Sequence, residues 1–502
     1  MKAKDQIPKK EFGDFQTPFE LSNIMMDILK EINIKPNIII EPTCGLGAIL
    51  MDAYNNFNPQ KAIGIEINSK YCNILFEKLK TNNNISIINN DIFISLKNIE
   101  NEVNQNDTCL FIGNPPWVTN SELGSLNSQN IPVKTNLKNL RGIDAVTGKS
   151  NFDIAEYIIL KLIEAFRPHK AIYAFLCKTS VARNILKYCW NQEIYYKESY
   201  IFPIDAKKYF NASVDACYFI VDASEKNIKK DCKVYESVEK RIYKYDIGIY
   251  NNVMVCNTNN FNTHNYLGKS DYNWRNGIKH DCSKVMEFDI IGSKIINGYG
   301  ENVEIEEELV YPLLKSSDIA NGKIEIRKKI LITQRYIGEK TDYIKNKYPK
   351  TWQYLNDHIY DFEKRKSSIY KNKPVFSIFS IGNYSFYPFK IAISSLYKKI
   401  NFKMLYPIME KPVMVDDTCN FLSCNTESEA DILYSLLTSH DVELFLNSLI
   451  FWDSKRPITT QILNSIDLGK VADNNGLYKN YTTLTKYNNL INNESSAQMA
   501  LF

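Results

Sequence analysis

Ile38-Ile39-Ile40-Glu41-Pro42-Thr43-Cys44-Gly45-Leu46-Gly47 reads as a buried strand running into a glycine-containing turn, and the helical stretch Ala48-Ile49-Leu50-Met51-Asp52-Ala53-Tyr54 follows at once. Gly45 and Gly47 allow the backbone to approach a ligand closely. A second strand, Ala62-Ile63-Gly64-Ile65-Glu66-Ile67, ends in an acid about twenty positions after the glycines, where a carboxylate can accept hydrogen bonds from ribose hydroxyls. A third, Ile85-Ser86-Ile87-Ile88-Asn89-Asn90-Asp91, places Asp91 where its carboxylate can accept an adenine amino hydrogen, with Ile92 and Phe93 able to flank the ring. Strands near 37–41, 62–66, 85–89 and 109–113 alternate with amphipathic stretches at 21–31 and 70–80. That alternation predicts an α/β fold with a Rossmann-like sheet.

The fourth strand, Cys109-Leu110-Phe111-Ile112-Gly113, leads into Asn114-Pro115-Pro116-Trp117. A planar amine conjugated to a ring is a poor nucleophile, because its lone pair is delocalised. A catalyst must therefore hold both of its hydrogens. An Asn side-chain oxygen and the carbonyl of the following proline can accept one each, while Pro115 and Pro116 stiffen the backbone and remove donors. The indole of Trp117 offers a flat face for stacking, so the four residues suit an extruded nucleobase. In isolation such a tetrad reads equally well as a proline-stiffened turn closing a strand. A lone GxG turn is usually structural, and an acid ending a strand is usually a solvated cap; their order and spacing give the combination its weight.

On these motifs the chain resembles the amino-group DNA methyltransferases that make N6-methyladenine, in the gamma-type motif order found in type II restriction-modification systems. There the cofactor motifs precede the NPP tetrad and a target-recognition domain follows. The resemblance runs from Phe12 to about Ile220 motif by motif, and includes Phe15-Gln16-Thr17-Pro18. It implies a Rossmann-like S-adenosylmethionine-dependent methyltransferase sheet plus a C-terminal α+β target-recognition domain. It further implies that Thr17 and Pro18 contact S-adenosylmethionine and that the turn carrying Glu41, Pro42, Cys44, Gly45 and Gly47 lies beneath its methionine moiety. Glu66 would hold the ribose, and Asp91 and Phe93 the adenine, with Ile67 and Ile92 also counted as cofactor-binding. Asn114, placed against both cofactor and target, and Pro115 would hold the amine. Trp117 would stack on one face of the flipped base. Lys207-Lys208-Tyr209-Phe210-Asn211-Ala212-Ser213-Val214-Asp215-Ala216 resembles the segment that supplies a second aromatic to the other face, which makes that aromatic Phe210. A phenylalanine there is otherwise ordinary core packing.

Length and charge agree with this reading. At 502 residues the chain is expected to form two domains, placed at 1–228 for catalysis and 229–485 for DNA recognition, with a flexible tail at 486–502. The balance of 61 basic against 57 acidic residues, a formal net charge of +4, advertises no global field for nucleic acid. Basic surface must be local: Lys134, Lys138, Arg141 and Lys149; Lys323 with Arg327-Lys328-Lys329; or Lys364-Arg365-Lys366 with Lys371 and Lys373. Charge runs of this kind are often only solvated faces. Eleven cysteines lack paired CxxC spacing and there are five histidines, so no zinc cluster is expected. The N-terminus is polar and no run long enough for a membrane span occurs, so a soluble, cytoplasmic protein without membrane or metal partners is expected.

After the tetrad, 119–150 is too long for an ordinary connection. A helix at 153–166 and a strand at 171–176 follow, and Tyr218-Phe219-Ile220-Val221 is expected to end the sheet. Beyond it, segments at 311–319, 386–391 and 455–459 are similar to parts of recognition domains of the same class. Double-stranded DNA is the expected partner, with a cognate restriction endonuclease as a further possible one. Because the tetrad serves any planar amine, a protein glutamine-amide or RNA methyltransferase remains an alternative, as does a non-catalytic DNA-binding subunit.

Overall fold

The computed structural model describes residues 16–80, 82–118 and 153–484, and the chain divides into two compact units between Asn259 and Asn260. In the first, β1 (Ile38–Glu41), β2 (Lys61–Glu66), β3 (Ile85–Asn89) and β4 (Thr108–Gly113) alternate with helices α1 (Phe19–Glu31), α2 (Ala48–Phe57), α3 (Ser69–Leu79) and α4 (Ile92–Asn101). There follow α5 (Ile154–Ala165), β5 (Lys170–Lys178), α6 (Thr179–Asn191), β6 (Glu198–Ile204), α7 (Ala206–Phe210) and β7 (Ala216–Ala223). All four residues of β1 are buried, as a parallel strand covered by helices on both faces demands.

The sheet order is β3-β2-β1-β4-β5-β7-β6, with β7 antiparallel between β5 and β6. The chain builds outward from β1 to β3 and then returns to place β4 on the other side of β1. This reversal puts a crevice at the carboxyl ends of β1 and β4, the place where open α/β sheets bind their ligands.

Two boundary expectations are corrected. Tyr218–Val221 does not end the sheet; it lies inside β7. Nor does the first unit stop at 228, because β8 (Asp231–Tyr235), β9 (Tyr243–Tyr250) and β10 (Val253–Val255) continue the same sheet. β8 pairs in parallel with β6, Tyr200 opposite Lys233 and Ile201 opposite Val234. It thereby covers an edge that would otherwise expose unpaired backbone groups. The division consequently falls some thirty residues later than expected, at Asn259. The long stretch after the tetrad, with Lys134, Lys138, Arg141 and Lys149, and the tail at 486–502 lie outside the described residues.

The second unit is α+β. Its strands are β11 (Arg275–Asn276), β12 (Glu287–Ile291), β13 (Lys294–Ile296), β14 (Val310–Leu314), β15 (Lys328–Leu331), β16 (Phe389–Ser394), β17 (Lys403–Leu405), β18 (Met414–Val415) and β19 (Cys419–Cys424). They form a four-stranded sheet, β11-β19-β16-β17, and a five-stranded sheet, β13-β12-β15-β14-β18. Among the described residues no helix is long and apolar enough to cross a membrane, and no group of His, Cys, Asp and Glu is arranged to hold a metal ion.

Some members of two basic runs are engaged inside this unit. Arg327 pairs with Asp318, and Lys328 lies 2.7 Å from Asp289. Arg365 donates to the carbonyls of Phe362, His280, Ser377 and Val375 and lies 3.7 Å from the Tyr370 ring centroid. With most of its five donors engaged, it braces the chain.

Candidate active site

The turn after β1 and the tetrad after β4 meet because their strands are neighbours in register, Ile40 opposite Phe111. Glu41 is buried, and its Oε2 accepts the Leu50 N–H at 2.8 Å in the first turn of α2. Burial, with Glu66 and Asp52 nearby, holds its pKa well above the usual carboxylate range. A Cβ on Gly113 would come within 3.3 Å of Glu41 Cγ, so the absence of a side chain at the end of β4 lets the two strand ends close on each other. Gly47 is needed for another reason: its φ is +74°, and a Cβ there would lie 2.8 Å from Leu75 Cδ2. Pro42 is buried. Burial pushes the Cys44 thiol far up, helped by Glu41 and Glu66, so it stays protonated and is no nucleophile.

Glu66 ends β2 and anchors the same turn. Its Oε2 accepts the Gly45 N–H at 2.8 Å, and its Oε1 accepts the Asn68 N–H at 2.7 Å. Ile67 beside it is 47% exposed, an apolar side chain at the carboxyl edge. Asp91 caps α4 by accepting the Phe93 N–H at 2.8 Å. Ile92 is buried, and the Phe93 ring packs at 4.9 Å, tilted, on Tyr157 of α5.

The tetrad is tied to the N-terminal segment: Asn114 Nδ2 donates to Thr17 Oγ1 at 3.3 Å. Thr17 is buried, and the carbonyl of Pro18 accepts the Ser22 N–H in the first turn of α1. With its nitrogen directed at Thr17, the Asn114 amide carries its oxygen on the opposite side. Pro115 is buried and Pro116 partly so. Trp117 is buried, its indole N–H donating to the Leu176 carbonyl at 3.2 Å.

Phe210 ends α7 beside Trp117, with ring centroids 5.1 Å apart and planes at 76°. The expected aromatic pair is therefore brought together, but edge to face and buried in the core cluster of this unit. A base held between the two rings requires them to turn parallel and part.

Four residues of this site lay outside the motif reading. Gly113 showed only as the end of a strand. Tyr157 was one more residue inside an expected helix, and Asp153 the first residue of it. Lys178 gave no local signal at all. An Asp before an amphipathic run is an N-cap signature, so Asp153 alone could have been read.

No family model matches the chain. It is 45% identical over 473 residues to the type II methyltransferase M.NspV of Nostoc sp. (strain ATCC 29411 / PCC 7524), covering 92% of this chain and 98% of that protein. Among solved structures it is similar to the type IIL restriction-modification enzyme MmeI in complex with DNA, with TM-score 0.50 and 13% identity over 91% of this chain and 72% of that one. The second likeness shows the fold. A Rossmann-like sheet open at its switch point agrees with the methyltransferase class that the 45% identical relative shows. The chain belongs to the type II methyltransferases of restriction-modification systems, DNA methyltransferases whose methyl donor is S-adenosylmethionine. The residues present suit that cofactor: a glycine turn on the crevice, a ribose-type acid at the end of β2, Glu66, and an exposed apolar side chain, Ile67, at the same edge.

Proposed function

We propose that the chain is the adenine-specific modification enzyme of its system, transferring a methyl group to N6 of an adenine turned out of double-stranded DNA. The observation that supports this reading is the hydrogen bond from Asn114 to Thr17 at the carboxyl end of β4, which ties the tetrad to the N-terminal segment. When bound, S-adenosylmethionine supplies an electrophilic methyl group on a sulfonium. Thr17, Pro18 and the Glu41–Gly47 turn hold its methionine end; Glu66 and Ile67 hold the ribose; Asp91, Ile92 and Phe93 hold the adenine. Asn114 Oδ1 and the Pro115 carbonyl accept the two amino hydrogens and draw N6 toward tetrahedral geometry. Positive charge developing on N6 meets two oxygens fixed in advance by Pro115, Pro116 and the Thr17 contact. The proton leaves after transfer.

Base selection follows from Asn at the head of the tetrad, and site recognition is assigned to the second unit, from Asn260 onward. DNA from cells expressing the chain is expected to contain N6-methyladenine within one recurring sequence, read by nucleoside mass spectrometry and by sequencing of modified bases. N4-methylcytosine alone overturns the base assignment, and modification without a common sequence overturns site recognition. Label appearing in RNA or protein, with none in DNA, would favour the other planar-amine substrates.

Trp117 and Phe210 are assigned to the two faces of the flipped base. Phe210→Ala is expected to weaken DNA binding by about 1–3 kcal/mol while leaving cofactor affinity unchanged. Since the two rings already touch in the core, a combined loss of thermal stability, cofactor affinity and DNA affinity would instead make Phe210 a packing residue.

A further inference from the structure

Beside the tetrad, a largely buried ion pair takes no part in the roles assigned so far. Lys178 Nζ, at the end of β5, lies 2.8 Å from Asp153 Oδ2, with side chains 21% and 8% exposed. Asp153 Oδ1 accepts the Ala155 N–H at 3.1 Å and so caps α5. The next residue, Ile154, donates its N–H to the Val118 carbonyl at 2.9 Å, and Val118 directly follows Trp117. Trp117 in turn bonds to the Leu176 carbonyl, two residues before Lys178 on the same strand. These contacts close a ring: Trp117 and Val118, across to Ile154 and Asp153, through the ion pair to Lys178, and back along β5 to Leu176.

One side of the ring is a direct bond from the indole to the strand. The other reaches the end of that strand through the ion pair, while farther along the Tyr173 hydroxyl of β5 donates to the Leu162 carbonyl of α5 at 3.4 Å. A buried pair of this kind is a poor source of stability, because desolvation offsets much of its attraction, but its geometry is directional. Here it fixes where the start of α5 sits against the end of β5, and hence where Val118 holds the aromatic end of the tetrad.

We propose that Lys178 is a positioning residue for methyl transfer, acting through Asp153, Ile154 and Val118 to hold Trp117 where it meets the target base. The proposal rests on the assignment of Asn114–Trp117 as the amine pocket. It is tested in the full-length protein with Lys178→Met, Lys178→Arg, Asp153→Asn and, as a reference, Asn114→Ala. The substrate is a duplex carrying the site found by sequencing, with and without a fluorescent adenine analogue at the target position.

Lys178→Met is expected to slow single-turnover methylation by about tenfold or more, the scale on which small misplacements act, and to reduce the analogue's change in fluorescence. Cofactor affinity should stay at its wild-type value, while the thermal midpoint falls because the Asp153 carboxylate is left buried without its partner. Asp153→Asn keeps the cap and loses the charge, and should behave like Lys178→Met. Lys178→Arg should restore most of the rate. Wild-type transfer by Lys178→Met overturns the proposal, as does a loss of rate matched by an equal loss in cofactor affinity. Wild-type transfer by Asn114→Ala would remove the pocket assignment itself, a failure visible separately from the behaviour of Lys178.

Discussion

Asn114→Ala is expected to cut single-turnover methyl transfer on the order of 10²-fold or more, the scale seen when one preorganised group is removed from a charge-stabilising site. Alanine takes away the oxygen that accepts an amino hydrogen, and with it half of the field that meets positive charge on N6. It also removes the amide that donates to Thr17, so the N-terminal segment loses one tie. The glycine turn does not depend on Asn114, because Glu66 holds Gly45 and Glu41 holds the start of α2. Cofactor titration should therefore give an affinity close to wild type. Turnover at the wild-type rate would show that Asn114 does not hold the amine, and loss of cofactor binding in step with transfer would make it a structural residue of the turn.

Replacing Lys390 by methionine is expected to stabilise the protein, most strongly at neutral and acid pH. Lys390 lies on β16, 1% exposed, with its Nζ donating to the Tyr387 carbonyl at 3.0 Å. Burial lowers its pKa from 10.5 to about 7. Between those values the unfolded chain binds a proton that the folded chain does not. Stability therefore rises with pH across the window and is level, at its lowest, below about 7. At about 1.4 kcal/mol per pH unit the lysine costs at most ~5 kcal/mol near neutrality. Methionine should recover that, less about 1 kcal/mol for the lost hydrogen bond. Unfolding of the full-length variant and wild type at neutral pH and near pH 10 should show a gap that narrows as the pH rises. A gap of the same size at both would mean that packing, rather than ionisation, separates the two proteins.

The catalytic half was legible in the sequence to the extent that its chemistry is local. Runs such as Ile38–Glu41 and Cys109–Gly113 are nearly uniform in apolar character, because parallel strands are covered on both faces. The turns that follow them carry the residues whose types imply a ligand, and the order of these motifs gave both the sheet and the crevice. The strands β8 to β10 were not legible. They lie at an antiparallel edge, where partly exposed tyrosines such as Tyr243, Tyr245 and Tyr250 break any clean alternation. Roles set by distant partners were hidden as well. Nothing in Lys364-Arg365-Lys366 says that four carbonyls capture the arginine, and nothing in Cys177-Lys178-Thr179 points to Asp153. The aromatics Trp117 and Phe210 lie side by side, but sequence carries no information on whether two rings meet face to face or edge to face.

The pairing of β1 with β4 makes the chemistry depend on counting. Ile38 faces Cys109, Ile39 faces Leu110 and Ile40 faces Phe111, so this short ladder is the ruler on which the glycine turn and Asn114 are set relative to each other. Adding or deleting one residue in either strand shifts the two by about 3.3 Å along the sheet and turns every later side chain to the opposite face. No rotamer of Asn114 can make up a displacement of that size and direction. Descendants of this protein can exchange one apolar residue for another within β1 and β4 while keeping the reaction, but the number of residues between Ile38 and Glu41, and between Cys109 and Asn114, is closed to change.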